Sequence, residues 1–304
     1  MTKSLKTVLK MVRDSQPFNR AATSTVSAAF AMTGVRSEFV IKHLPRVGVV
    51  RRRLPNGRTL SLWSEGDDWV SCQVYWRGWD GYESETIPLF YSLASRAGVT
   101  IDVGAFVGYY SLIAAHANPS GSVFAFEPLP TIHERLRGNI KLNGLDNVEC
   151  VPCAVSDIEG ETQFYHMNSR IPSSSSLSFE FMKSTGNLVS STVPVITLDR
   201  YVAEKKIHKV DLVKIDTEST ECHVLGGMRK TLERDHPDIF CEVLAGRASE
   251  AGLEEILGPL GYRYYLLSSK GPDERPHIKG HPEWLNYLFS TSLSKSGPLA
   301  ACPL

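Results

Sequence analysis

Two acids 25 positions apart, Asp102 and Glu127, each stand where an apolar run gives way to a turn. The first lies in Thr100-Ile101-Asp102-Val103-Gly104-Ala105-Phe106-Val107-Gly108-Tyr109-Tyr110-Ser111, which reads as a buried strand, a glycine-lined turn and a helix start. Open α/β sheets bind ligands at that junction. Gly104 and Gly108 let backbone approach a ligand with no Cβ in the way. The second acid follows in Phe124-Ala125-Phe126-Glu127-Pro128, where a carboxylate can accept hydrogen bonds from both hydroxyls of a ribose. A dinucleotide oxidoreductase would carry GxGxxG, so that a pyrophosphate could rest on the helix N-terminus. This loop instead spaces its glycines four apart and opens with an acid. Such an acid repels a pyrophosphate but favours a sulfonium and its ammonium group, so the dinucleotide reading is the weaker one.

More acids follow. The run around Val148 to Pro152 leads into Cys153-Ala154-Val155-Ser156-Asp157, whose backbone and Asp157 can border an adenine. A plain turn ahead of Gly160 explains Asp157 equally well. Val213-Lys214-Ile215-Asp216-Thr217-Glu218-Ser219-Thr220-Glu221 and Phe240-Cys241-Glu242 then gather four carboxylates near predicted strand ends. Crowded acids are costly unless they bind cations, hydroxyls or protons. Glu218 and Glu221 are expected on one face of a helix start, where acids also complement the helix dipole.

The elements that must position these residues are legible as alternation. Short apolar runs at Val99 to Val103, Ser122 to Phe126, Val148 to Pro152, Val210 to Ile215 and Ile239 to Val243 alternate with helical periodicity. That pattern predicts βαβ units and a parallel sheet with helices on both faces. Between the third and fourth runs lies an insertion with a hairpin at Thr162 to His166, the serine string Ser173 to Ser176 and a strand at Val193 to Thr197. Its loop, Asn168 to Ser191, is long enough to serve as a lid or acceptor-binding segment, with a solvent-exposed loop as the plain alternative. Tyr262 to Leu267 and Leu285 to Ser290 follow too closely for a crossover helix and predict an antiparallel pair. Residues 1–80 read as a helical segment with a β-hairpin (Val47 to Arg53, turn Pro55-Asn56-Gly57, Thr59 to Trp63), 81–290 as the main domain and 291–304 as a loose tail.

Composition narrows the partners. With 33 basic and 33 acidic residues, the whole-chain field does not favour nucleic acid or an anionic membrane. No apolar run reaches the length of a membrane span. Lys3, Lys6, Lys10 and Arg13 precede Ala21 to Met32, but that stretch lacks a continuous apolar segment, so no cleaved signal is expected. Six scattered cysteines, most in apolar runs, suit a reducing cytoplasm. Cys150 and Cys153 form a lone CxxC without a second half, which reads as buried thiols rather than a zinc site. Cys302, third from the end, makes no prenylation box.

In order and spacing, these strings resemble the FkbM family of class I S-adenosylmethionine-dependent methyltransferases. The resemblance covers roughly residues 80 to 245: Tyr82-Glu83-Ser84-Glu85-Thr86; the Asp102 to Ser111 loop; Phe126-Glu127-Pro128; Asn139 with Leu142-Asn143; Ala154 to Asp157 with Gly160; Thr197-Leu198-Asp199; Lys214-Ile215-Asp216 with Glu218 and Glu221; Val224-Leu225 with Gly227; and Glu242. It implies a Rossmann-like, seven-stranded, mostly parallel sheet with an antiparallel C-terminal pair, S-adenosyl-L-methionine as cofactor, and O-methylation of a sugar, polyketide or related natural-product hydroxyl. By matched position it places Asp102, Gly104, Ala105 and Gly108 at the methionine end, joined by Glu85 from a preceding helix. Glu127 falls at the ribose and Ala154 and Val155 at the adenine, while Pro128, Asp157 and Asp216 complete the expected cofactor-binding residues. Two departures stand out: Phe106 where the family usually has Asn, and Ser219 where it usually has Gly.

In-line methyl transfer to a neutral hydroxyl calls for near-attack positioning and removal of a proton. Asp216, Glu218 and Glu242 are the candidate bases, with His223 behind them. Magnesium on the same carboxylates is a lesser alternative, and no metal site is assigned. Trp76, Trp79, Tyr82, Tyr109 and Tyr110 offer either an acceptor platform or core packing. The expected partner is a small-molecule or glycan hydroxyl acceptor, with homo-oligomer formation left open. The rival reading is a catalytically silent cofactor-binding or scaffold protein of the same fold, suggested by Phe106 and Ser219.

Overall fold

The computed structural model describes residues 15–172, 175–183, 187–246 and 250–293. The basic start from Lys3 to Arg13, Ser173 and Ser174 of the serine string, and 294–304 of the expected tail lie outside the described residues. Two compact units divide the chain: Met1–Glu83 with Lys141–Gly144, and Ser84–Ile140 with Leu145–Leu304.

In the first unit, helices α1 (Gln16–Thr33) and α2 (Glu38–His43) precede strands β1 (Val47–Arg53) and β2 (Thr59–Glu65) and helix α3 (Trp69–Arg77). The expected hairpin is present: β1 and β2 pair antiparallel from Val47↔Glu65 to Arg53↔Thr59. Asp68 starts α3 by accepting the Ser71 N–H at 2.6 Å. Trp76 is buried, its ring 5.5 Å from Phe30, so it serves the core and not an acceptor platform.

The second unit holds α4 (Ile87–Ala94), β3 (Val99–Val103), α5 (Tyr109–Ala117), β4 (Ser122–Phe126), α6 (Pro130–Asn143, of which residues 141–143 count with the first unit) and β5 (Val148–Val151). Next come β6 (Ala154–Val155), β7 (Gly160–Met167), β8 (Ser175–Ser176), α7 (Phe179–Met182) and β9 (Leu188–Ile196). The chain continues through α8 (Leu198–Glu204), β10 (Leu212–Ile215), α9 (Glu221–Gly226), α10 (Arg229–Asp235), β11 (Asp238–Glu242) and α11 (Glu250–Leu257), and closes with β12 (Arg263–Ser268), β13 (Gly271–Arg275) and β14 (Asn286–Ser290).

The main sheet runs β13-β12-β14-β11-β10-β3-β4-β5. Strands β11, β10, β3, β4 and β5 are parallel, and β14 lies antiparallel between β11 and β12 as expected. An eighth strand, β13, was not anticipated; it is an exposed edge of mixed polarity, which leaves no apolar signal to read. The insertion also differs from expectation. Thr162 to His166 is no hairpin but the middle of β7, which pairs antiparallel with β9 and, with β6 and β8, builds a separate four-stranded sheet. Among described residues, no helix is long and apolar enough to cross a membrane.

Strand alternation sorts the main sheet's two faces. Ile101, Val103, Val213, Ile215, Ile239 and Cys241 join one core with Leu198, Tyr201, Val224, Leu225, Leu253 and Leu257. The residues between them, Asp102, Lys214 and Phe240, are cross-strand partners on the opposite face. There Phe90 of α4 packs on Phe240 at 5.3 Å and on Tyr110 of α5 at 4.7 Å between ring centroids. A sheet covered on both faces reads as continuous apolar runs, and a charged residue inside one is therefore conspicuous.

Candidate active site

The turn after β3 is built by close backbone approach. A Cβ on Gly104, at φ +79°, would stand 1.9 Å from the Asp216 carbonyl oxygen, so only glycine lets the ends of β3 and β10 meet here. Gly104 and Ala105 donate their N–H groups to the Phe126 carbonyl at 3.1 and 2.9 Å, which ties the turn to the end of β4. Gly108 starts α5 at φ +90°, with Leu136 of α6 against the space a Cβ would fill.

Asp102 and Glu127 are thereby brought to adjacent strand ends. Asp102 is 1% exposed and accepts the Ser111 hydroxyl at 2.5 Å. Burial pushes its carboxyl up to about 6, against the Ser111 hydrogen bond and the attraction of Lys214, while the charge of Asp216 adds to the rise. Glu127 is 4% exposed; its Oε1 accepts the Leu129 N–H at 2.9 Å and its Oε2 the Phe106 N–H at 3.2 Å. Burial pushes it up to about 8, outweighing both backbone bonds. Each carboxylate oxygen has a second lone pair, so the two N–H groups orient Glu127 without exhausting it. Pro128 follows directly, and no proline N–H competes for the carboxylate.

Phe106 and Ser219, the two departures from the family pattern, share one property. Phe106 sits at φ +51° and Ser219 at φ +78°, left-handed backbone that suits the usual Asn and Gly better than the residues present. Phe106 packs against the cluster of Leu129, Ile132, Ala154 and Phe164. Ser219 donates its N–H to Glu221 Oε1 at 3.0 Å.

The turn from Asp216 to Glu221 is organised by Glu221, not by Glu218. Glu221, 3% exposed, also accepts the Thr217 N–H and hydroxyl at 3.3 and 3.1 Å, and burial raises its pKa. Glu218 lies ahead of α9 at φ +56°, so the expected shared helix face with Glu221 does not form. Its carbonyl accepts the Ser176 hydroxyl at 2.7 Å, which anchors part of the serine string to this turn. Glu85 is likewise in a turn ahead of α4 and not in a helix; the Ser84 hydroxyl donates to it at 3.0 Å.

Ala154 and Val155 are buried in β6. Asp157 is turned to His223 of α9, Oδ2 to Nδ1 3.0 Å. Burial pulls its pKa up, but the hydrogen bond and charge of His223 prevail and hold it below the usual range. Gly226 and Gly227 back this segment, and a Cβ on Gly227 would stand 2.1 Å from the Ser156 carbonyl oxygen. Tyr109 and Tyr110 are buried, so they pack and form no open platform. The thiols of Cys150 and Cys153 are free, and burial raises each to about 11.

Ile215 and Cys241 are the last cross-strand partners of β10 and β11, so Asp216 and Glu242 come level just beyond them. By alternation both share the face of Asp102, Lys214 and Phe240. Lys214 Nζ is 3.4 Å from Asp216 Oδ2 and 3.2 Å from Asn286 Oδ1. Sequence reasoning gave no role to Lys214, Asn286 or Ser111. A lysine inside an apolar strand was a readable signal for the first; the others needed the fold.

Residues 102–289 match the Methyltransferase FkbM domain. The chain belongs to that family. The FkbM match spans the strand ends just described, from Asp102 through Glu127 and Asp216 to Glu242. Curated relatives agree. The chain is 27% identical over 248 residues to 31-O-demethyl-FK506 methyltransferase FkbM of Streptomyces tacrolimicus, covering 72% of this chain and 90% of that protein. It is 30% identical over 198 residues to AMB antimetabolite synthetase AmbE of Pseudomonas aeruginosa, covering 55% of this chain but only 9% of that protein. With the 2-O-methyltransferase NoeI of Sinorhizobium fredii it shares 24% identity over 149 residues, 45% of this chain and 59% of that one. This FkbM chain is therefore a methyltransferase of Rossmann-like fold that uses S-adenosylmethionine. The residues present fit that cofactor: two nearly buried acids at adjacent strand ends suit its cationic and hydroxyl groups.

Proposed function

We propose that the protein O-methylates a hydroxyl of a sugar, polyketide or related small molecule, with Asp216 and Glu242 receiving the acceptor. The observation that carries this reading is the convergence of Asp102, Asp216 and Glu242 on one face of the sheet's carboxyl edge. S-adenosylmethionine supplies an electrophilic methyl group on a positively charged sulfur. Asp102 and Glu85 hold the methionine end and Glu127 with Pro128 the ribose, while Gly104, Ala105 and Gly108 line the turn between. Ala154, Val155 and Asp157 border the adenine, although the bond from Asp157 to His223 favours a supporting role for that acid.

A hydroxyl placed between Asp216 and Glu242 is oriented by one carboxylate and loses its proton to the other, which makes the oxygen nucleophilic as it approaches the methyl group. Glu218, held by its own carbonyl to Ser176, is the third candidate. The Lys214 ammonium competes with any hard cation for Asp216, which supports a proton-transfer route without a metal. Two relatives, a 31-O-demethyl-FK506 methyltransferase and a 2-O-methyltransferase, favour hydroxyl acceptors. A cytoplasmic setting accords with the thiols of Cys72, Cys150, Cys153 and Cys241, none of which is in a disulfide.

The test is methyl transfer from S-adenosylmethionine to a panel of glycans and hydroxylated polyketides, read as S-adenosylhomocysteine release and a methylated product. Glu242→Gln should lower kcat about 100-fold or more while S-adenosylhomocysteine affinity holds. Cofactor binding with no transfer to any acceptor would favour the silent scaffold instead.

A further inference from the structure

The sheet hides an ammonium group that neither receives the acceptor nor moves its proton in methyl transfer as described. Lys214 is 1% exposed on β10, and such a charge is costly unless it is paired and hydrogen-bonded. Its Nζ lies 3.2 Å from Asn286 Oδ1, 3.4 Å from Asp216 Oδ2 and 3.5 Å from the Ile215 carbonyl. The Tyr110 ring lies beneath it, 5.0 Å to the centroid. Across the ladder, the Cα partner of Lys214 on β3 is Asp102.

We propose that Lys214 is a positioning residue of the cofactor site: its ammonium is the counter-charge that keeps the buried Asp102 ionised where it shares a sheet edge with Asp216, with Asn286 holding the lysine in place. This rests on the reading of Asp102 as a cofactor-binding acid. Asp102 faces Ser111 from α5, Lys214 and Asp216 from β10, and the charge of Glu127 from the end of β4. Lys214 in turn faces Tyr110 from α5 and Asn286 from β14, beside its cross-strand partner Phe240, and its charge reaches the Cys241 thiol on the far side of β11. Burial disfavours ionisation of Asp102, and the like charge of Asp216 adds to the same effect. Lys214 supplies the opposing attraction.

The experiment titrates S-adenosylhomocysteine affinity calorimetrically across neutral pH in the full chain. Lys214→Met should move the pH midpoint for binding upward by roughly half a unit or more. Its affinity at the alkaline limit should equal or exceed that of the unaltered protein, because Asp102 then attracts the ligand's ammonium uncompensated. Lys214→Arg, which keeps the charge, should stay near the original midpoint. In an Asp102→Asn background the lysine substitution should cause no shift. If Lys214→Met does not fold, recovery of the fold in the Asp102→Asn double variant supports the proposal, and failure to recover overturns it. An equal loss of affinity at every pH, or a shift that persists without Asp102, also overturns it. Unchanged affinity in Asp102→Asn alone would instead remove the cofactor-site reading, which keeps the two failures distinct.

Discussion

The Phe106 amide donates to Glu127 Oε2 at 3.2 Å while Phe106 itself sits at φ +51°. The geometry that aims this N–H at the acid is thus held by a residue whose side chain disfavours it. The ring's packing with Leu129 and Ala154 helps to offset that strain.

Asp102→Ala and Glu127→Ala should each weaken S-adenosylmethionine binding by more than about 1 kcal/mol, the scale of a charge-assisted hydrogen bond. Isothermal titration measures this directly. Unchanged affinity in both variants would remove the proposed cofactor site.

Ligand-free stability should fall as pH rises through the neutral range. Burial raises Glu127 from 4.5 to about 8 and Asp102 from 3.8 to about 6. Between those values the folded chain binds more protons than the unfolded one, so their contribution is fully present below the unfolded pKa and is lost as pH rises through the folded one. Thermal melts across that window, without cofactor, should show the decline. Asp102→Asn should flatten its acidic part, and an unchanged slope in that variant would contradict the assignment.

Ser219→Gly should stabilise the protein by about 0.5–1 kcal/mol, because glycine adopts φ +78° without a Cβ penalty and keeps the N–H that donates to Glu221. Chemical denaturation midpoints decide it. A loss of stability would mean that the Ser219 side chain contributes more than its backbone costs.

Gly104→Ala should be far more damaging than Gly108→Ala. A Cβ at 104 meets the Asp216 carbonyl oxygen at 1.9 Å, a backbone atom that cannot turn aside, whereas at 108 it meets Leu136 Cδ1 at 2.5 Å, the end of a side chain that can rotate. Both pay for positive φ, so the difference isolates the contact. Loss of soluble protein or of cofactor binding in the first, with measurable binding in the second, is the expected outcome.

Much of this was readable one residue at a time. The run Thr100 to Val103 is β-branched save for one acid and then meets glycine, which signals a buried strand turning toward a ligand. Thr162 to His166 misled because a short alternating run near turn residues looks like a hairpin by itself, while it is one strand between β8 and β9, the latter more than twenty residues on. Glu218 and Glu221 misled because spacing of three implies a shared helix face only if the helix has begun, and positive φ at Glu218 and Ser219 delays it to Glu221.

The sequence by itself determined the βαβ order, the two acids at neighbouring strand ends, the glycine turn and the family, since those depend on local periodicity and on residue types in a fixed order. Tertiary structure alone decided that Lys214 meets Asn286 seventy-two residues away, that Glu221 and not Glu218 organises the acidic turn, and that Asp157 pairs with His223. The reason is physical: local pattern reports which face a side chain takes, but partners for a buried charge are set by which strands become neighbours, and that depends on the whole sheet.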